Sequence, residues 1–180
     1  MKLSLKLLFI PLITLLSLSA CAQVKNDKSG KINGIDTNSI KKPIGWINDF
    51  EKVFSATEIK TLDSLLSNFE KETTIEICVL TVDTAIVSNK EFENYVLATS
   101  NYWGVGKKEK NNGIVVGFSR GHRKIRIANG IGIEKLISDK ETKEIIEKYF
   151  IPNFKQNKYY EGTFAGTTEL MNLLRTKIKK

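Results

Sequence analysis

Histidine is almost missing from this sequence: His122 is the only one in 180 residues. With a single imidazole and no Gly-x-Ser-x-Gly, neither a serine–histidine triad nor a histidine metal cluster can be assembled. Cysteine is nearly as scarce, with Cys21 and Cys78 alone, too few for a disulfide framework. Long apolar runs are missing too. The longest, Leu7 to Leu18, is interrupted by Pro11, Thr14 and Ser17, whereas a membrane span needs about 20 apolar residues. The glycine motifs also fail on spacing. Gly104-Val105-Gly106-Lys107 has Asn101 where a phosphate loop needs its first glycine and Lys108 where it needs Ser or Thr. Gly130-Ile131-Gly132 has Lys135 where a dinucleotide site needs its third glycine.

What is present begins at the N-terminus. Lys2 and Lys6 precede the short apolar run, which closes on Leu18-Ser19-Ala20-Cys21. Charge, apolar length and small residues together make a signal peptide. Leu-Ser-Ala-Cys resembles the bacterial lipobox, which implies cleavage before Cys21 and acylation of its thiol. The alternative is an ordinary secretory signal cut after Ala20, leaving Cys21 free. With Cys21 acylated, Cys78 has no partner in the chain, and no disulfide-linked partner is expected. Cys78 lies in an apolar stretch and reads as a small core hydrophobe. The expected location is the cell envelope, exported and lipid-anchored; Ala22 is compatible with a periplasm-facing anchor in a diderm.

Formal net charge is +8, and +6 without Lys2 and Lys6. Export argues against nucleic acid as the partner of this basic chain. Attraction to an anionic membrane surface and a solvated lysine-rich surface are the two remaining explanations. The chain divides into residues 1–20 (signal peptide), 21–42 (lipidated cysteine and linker) and 43–180 (one domain). Residues 22–42 are polar and without period, and a flexible segment of that length reaches about 25 Å.

Inside the domain, Ser55-Ala56-Thr57-Glu58 is a capping box followed by Ile59, Leu62, Leu65, Leu66 and Phe69 at helical spacing. Residues 75–82 are apolar on both faces apart from Glu76, as expected of a strand covered on two sides. A second helix is predicted over 90–102, strands over 113–119 and 124–129, a helix over 140–150 that stops before Pro152, and a last helix over 160–178. The alternation predicts an α/β fold, a three-layer α/β/α sandwich around a small mixed sheet.

The chemistry-bearing groups that survive are hard oxygen donors near strand ends: Asp49, Asn111, Asn112, Glu134 and Asp139. Converging, they would suit a divalent cation such as Ca²⁺ or Mg²⁺. Singly, Asp49 and Asp139 read equally well as helix caps and Asn-Asn-Gly as a turn.

Several segments resemble one family in order along the chain: Gly45-Trp46-Ile47-Asn48-Asp49-Phe50 with Phe54-Ser55, then Trp103-Gly104-Val105-Gly106-Lys107-Lys108 with Asn112-Gly113-Ile114-Val115. Arg123-Lys124-Ile125-Arg126-Ile127, Gly130-Ile131-Gly132-Ile133-Glu134, Ser138-Asp139, Ile151-Pro152 with Phe154, and Tyr159-Tyr160-Glu161-Gly162 continue the match. From about Pro43 to Leu174 the chain is similar to the TPM domain family. The resemblance implies an α/β/α sandwich and a crevice of acidic residues that binds Ca²⁺ or similar ions in some members. Phosphatase activity is attributed to a plant thylakoid member, while others act in photosystem repair or modulate a membrane receptor. Where the family commonly has Asp before the Asn-Gly pair, this chain has Asn111. That removes a charge from the expected metal site and a base or nucleophile from an expected phosphatase. The leading expectation is therefore a lipoprotein whose domain binds a divalent cation and a membrane-associated partner. The alternative is a metal-dependent phosphatase acting on phosphate monoesters, with Asp49, Glu134 and Asp139 as ligands.

The lipobox makes a direct prediction. Cys21→Ser should release the protein from membranes and block processing, read by membrane fractionation and a mobility shift. Membrane attachment and processing that persist in the variant would rule out the anchor.

Overall fold

The structure, a computed structural model, describes residues 30–179. Two short strands, β1 (Lys31–Ile32) and β2 (Ile35–Asp36), pair antiparallel and lead through a 3₁₀ turn into β3 (Ile47–Asp49). Helix α1 (Ala56–Thr73) follows, then β4 (Glu76–Thr81), α2 (Phe92–Trp103), β5 (Gly113–Ser119) and β6 (Lys124–Asn129). The chain closes with α3 (Ile131–Glu134), α4 (Asp139–Ile145), α5 (Ile151–Phe154) and α6 (Tyr159–Ile178).

The main sheet has the order β3-β4-β5-β6. β3 runs parallel to β4 with Asp49 beside Thr81, and β4 parallel to β5 with Glu76 beside Gly113. β6 returns antiparallel, Ser119 opposite Lys124. The sheet is thus mixed and covered on both sides, the predicted three-layer α/β/α arrangement. Successive residues of β4 serve opposite layers. Ile77 and Val79 meet Leu62, Leu66 and Phe69 of α1 and Leu170 of α6. Cys78 and Leu80 meet Phe92, Tyr95 and Val96 of α2. Burial pushes the Cys78 thiol up to about 12, so it stays protonated and behaves as the core hydrophobe its sequence context suggests.

Both crossovers step the same way across the sheet, β3 to β4 and β4 to β5, yet α1 and α2 lie on opposite faces. Two connections of one hand would place both helices on one face. One of the two is therefore left-handed, against the strong preference for right-handed crossovers.

α1 opens as predicted: the Ser55 hydroxyl accepts from Glu58 N–H, and the Glu58 carboxylate accepts from Ser55 N–H. Two expectations change. The helix predicted to stop before Pro152 runs on through a π-turn at Ile146–Phe150 into α5. Proline supplies no N–H; widening the preceding turn, with Ile151 N–H donating to the Ile146 carbonyl, lets the helical path continue past it.

The second change concerns the segment read as linker. Ile32, Ile35 and Ile40 are buried against the α2 layer, with Val87, Phe92 and Tyr95 in the same cluster. The Tyr95 hydroxyl donates to the Ser39 carbonyl at 3.1 Å, and Trp103 Nε1 to the Lys41 carbonyl at 2.8 Å. Three isoleucines spaced irregularly carry no period to read, but they complete the α2-side core. The folded unit reaches back at least to Gly30 instead of starting near Pro43; the signal peptide, Cys21 and residues 22–29 lie outside the described residues.

Without residues 30–42 the α2-side core loses the cover of Ile32, Ile35 and Ile40 and two hydrogen bonds to α2. A fragment starting at Pro43 should therefore melt at a lower temperature than one starting at Gly30. Equal melting temperatures by calorimetry would show that the N-terminal segment adds no stability.

Candidate functional site

The parallel strands give the sheet two distinct ends, and the five predicted donors divide between them. Asp49 ends β3 beside the last residue of β4, at the C-terminal edge. Asn111 and Asn112 precede β5, at the opposite edge, where β6 ends and α3 begins. The five do not form one coordination sphere, because Asp49 is a sheet's length from the rest. Among the described residues, no three His, Cys, Asp or Glu side chains group as metal ligands.

At the C-terminal edge, Asp49 is committed to its own loop. Its Oδ1 accepts from Val53 N–H at 3.1 Å and from the Thr81 hydroxyl at 2.8 Å, and its Oδ2 accepts from Phe54 N–H at 2.9 Å. It caps a loop, not a helix; the cap of α1 is Ser55. Lys52 within that loop takes a left-handed φ of 55°, a conformation the three bonds hold against its steric cost. Glu51 was not foreseen. Its N–H donates to Thr81 Oγ1, and its carboxylate accepts from Arg120 N–H at 2.8 Å and the Ser119 hydroxyl at 3.3 Å. The only sequence signal for Glu51 was its place two residues after Asp49. Together the two carboxylates stitch the β3–α1 loop to the ends of β4 and β5.

The other edge is closed by Asn112 and glycine. Asn112 is buried; its Oδ1 accepts from Lys107 N–H at 2.8 Å and its Nδ2 donates to the Thr74 carbonyl at 2.7 Å. Glu76 Oε2 accepts from Gly106 N–H at 3.0 Å. Lys107 pairs with Glu70 at 2.6 Å, and Trp46 Nε1 donates to the same carboxylate at 3.0 Å. A side chain at Gly106 would collide with Gly113, and one at Gly132 with the Lys110 carbonyl. The glycines that mimic nucleotide motifs thus let one backbone lie directly on another.

Asn111 itself is exposed and left-handed, φ 46°, a conformation that asparagine and aspartate tolerate better than most residues. Its carbonyl accepts from Gly132 N–H at 3.0 Å, bringing the start of α3 beside it. Glu134 is exposed in that short helix. Asp139 is exposed in the first turn of α4; the cap there is Ser138, boxed with Glu141. Lys177, 2.7 Å away, together with the Ser138 donors holds the Glu141 carboxyl down to about 2. His122 is a structural group as well, its Nε2 lying 2.8 Å from the Val87 carbonyl.

Residues 47–173 match the family model described as the TPM domain, and the chain belongs to that family. Among solved structures, the chain is similar to the N-terminal domain of a protein from P. gingivalis. That match has 24% identity and a TM-score of 0.67, and covers 74% of this chain and 84% of that one. The BA42 protein of the psychrophilic bacterium Bizionia argentinensis is similar at 21% identity and a TM-score of 0.58, covering 71% of this chain and 86% of that one. These likenesses establish the fold alone. No curated protein matches.

Asp49→Ala removes three hydrogen bonds to a carboxylate, and bonds to charged groups contribute about 1.5–3 kcal/mol each at most. The variant should unfold at lower denaturant concentration in metal-free buffer, by about 2 kcal/mol, with Asp49→Asn in between. Unchanged metal-free stability, with a calcium response lost, would make Asp49 a ligand instead of a loop cap.

Proposed function

We propose that this TPM domain is a binding module of an exported, lipid-anchored protein, and that it recognises a membrane-associated partner without hydrolysing it. The observation that carries this reading is the state of Asp49. The acid of the opening signature has both carboxylate oxygens engaged by Val53, Phe54 and Thr81, and an acid so held is not available as a base or nucleophile. Asn111 contributes no negative charge where the family commonly has one. A divalent cation is assigned to the edge that carries Asn111, Glu134 and Asp139, supported by their exposure there and by the hard oxygen donors they offer. In this reading the cation shapes a recognition surface. The tether rests on the lipobox at Cys21, and a lipid-held domain meets partners at the membrane surface.

The experiment pairs calorimetric melting with a phosphatase assay. Ligand at a hundredfold excess over its dissociation constant adds about 2.7 kcal/mol, so Ca²⁺ should raise the melting temperature by roughly 5–10 °C. Glu134→Gln or Asp139→Asn should shrink that gain and Asn111→Asp should enlarge it. 4-Nitrophenyl phosphate should remain intact with Ca²⁺ or Mg²⁺. Metal-dependent hydrolysis abolished in Asp139→Asn would establish the phosphatase reading instead.

A further inference from the structure

A cavity of about 500 Å³ opens between the β5–β6 hairpin and the α5–α6 turn, at the sheet edge opposite Asn111, Glu134 and Asp139. No carboxylate lines it among the described residues; Glu51, behind the Ser119 wall, is engaged by the Ser119 hydroxyl and the Arg120 N–H. Two of its residues carry uncommitted positive charge. Arg123 sits at the hairpin turn with φ 53°, and Lys155 follows α5; both are exposed. Neither side chain joins an ion pair among the described residues. Lys124 also borders the cavity, but its ammonium is turned to the α2 face, donating to the Asn89 carbonyl at 2.9 Å.

Ser119 and Asn157 add neutral polar groups, and the remaining wall is apolar. Ile125 and Ile151 contribute aliphatic surface, and Phe154 and Tyr159 belong to an aromatic stack around Phe118. Phe154 and Tyr159 lie 5.1 Å apart, and Tyr159 is parallel to Phe118 at 5.9 Å. This packing fixes the wall before any ligand arrives.

From this we infer that the cavity is a binding site for a small amphipathic oxyanion, a phosphate or carboxylate head on a flat apolar body. Arg123 and Lys155 would hold the head, the guanidinium in its two-pronged geometry. An oxyanion alone fills a minor part of the volume, which lies within the usual range of roughly 300–1,000 Å³ for small-molecule sites. The remainder faces Ile125, Ile151 and Phe154 and takes the apolar body. The site shares no residue with the Asn111 edge, so it stands or falls apart from the cation reading.

The test is calorimetric titration of the full chain in phosphatidylcholine nanodiscs with phenyl phosphate, benzoate and inorganic phosphate. Phenyl phosphate or benzoate should bind at least about tenfold more tightly than inorganic phosphate, a difference of about 1.4 kcal/mol. Arg123→Asn keeps a residue that accepts the left-handed turn; it and Lys155→Gln should each weaken binding about tenfold without moving the melting temperature. A Cys21-anchored chain that gives no binding heat with either aromatic anion, or binding unchanged in both variants, would overturn the site. Inorganic phosphate binding as tightly as phenyl phosphate would overturn the apolar half of the assignment.

Discussion

Two adjacent strands with no polar face govern this architecture. β4 and β5 are buried along nearly their whole length, and their alternate side chains demand apolar cover on both sides. α1 and α6 supply one layer and α2 the other. Because the strands advance in one direction, covering opposite faces forces one crossover into the less common hand. The α2 layer is also the thinner one. A single twelve-residue helix does not cover a strand pair, and Ile32, Ile35 and Ile40 complete it. The need to cover a two-faced sheet thus explains both the unusual connection and the recruitment of a segment that looks like linker.

The same sheet sets the polar chemistry at its ends. Backbone groups at strand ends need partners, and loops here answer with side chains: Asp49 and Glu51 at one edge, Glu76 and Asn112 at the other. These residues stand where a sequence reader looks for ligands, since strand ends form the crevices of α/β folds. Most of them are consumed by structure. Of the predicted donors, Asn111, Glu134 and Asp139 keep exposed side chains at one edge, and the Arg123–Lys155 cavity lies at the other.

The fold was legible because its signals are local. The Ser55–Glu58 box, the α1 period and the unbroken 75–82 run each specify an element from adjacent residues. The family signatures then fixed their order. The packing of residues 30–42 is illegible for a different reason: three isoleucines among polar residues have no period, and only the tertiary cluster with α2 gives them a place. Pro152 has the local signature of a helix stop, yet one widened turn absorbs its missing N–H. The site was less legible. Oxygen-bearing residues near strand ends are visible in the sequence, but spacing does not say which end of a sheet a loop joins. Parallel pairing of β3 with β4 sends Asp49 to the edge opposite Asn111, a fact of topology with no local signature.

That separation bears on what the domain can do. Hydrolysis of a phosphate ester needs a metal or a base, a bound anion and a water within a few ångströms of one another. Here Glu134 and Asp139 belong to one edge of the sheet and the Arg123–Lys155 cavity to the other. A molecule whose anionic head lies between Arg123 and Lys155 does not reach Glu134 or Asp139. Binding requires no such convergence: two independent surfaces on a rigid three-layer core can each hold a partner. An arrangement that divides its charges this way is suited to recognition at two faces.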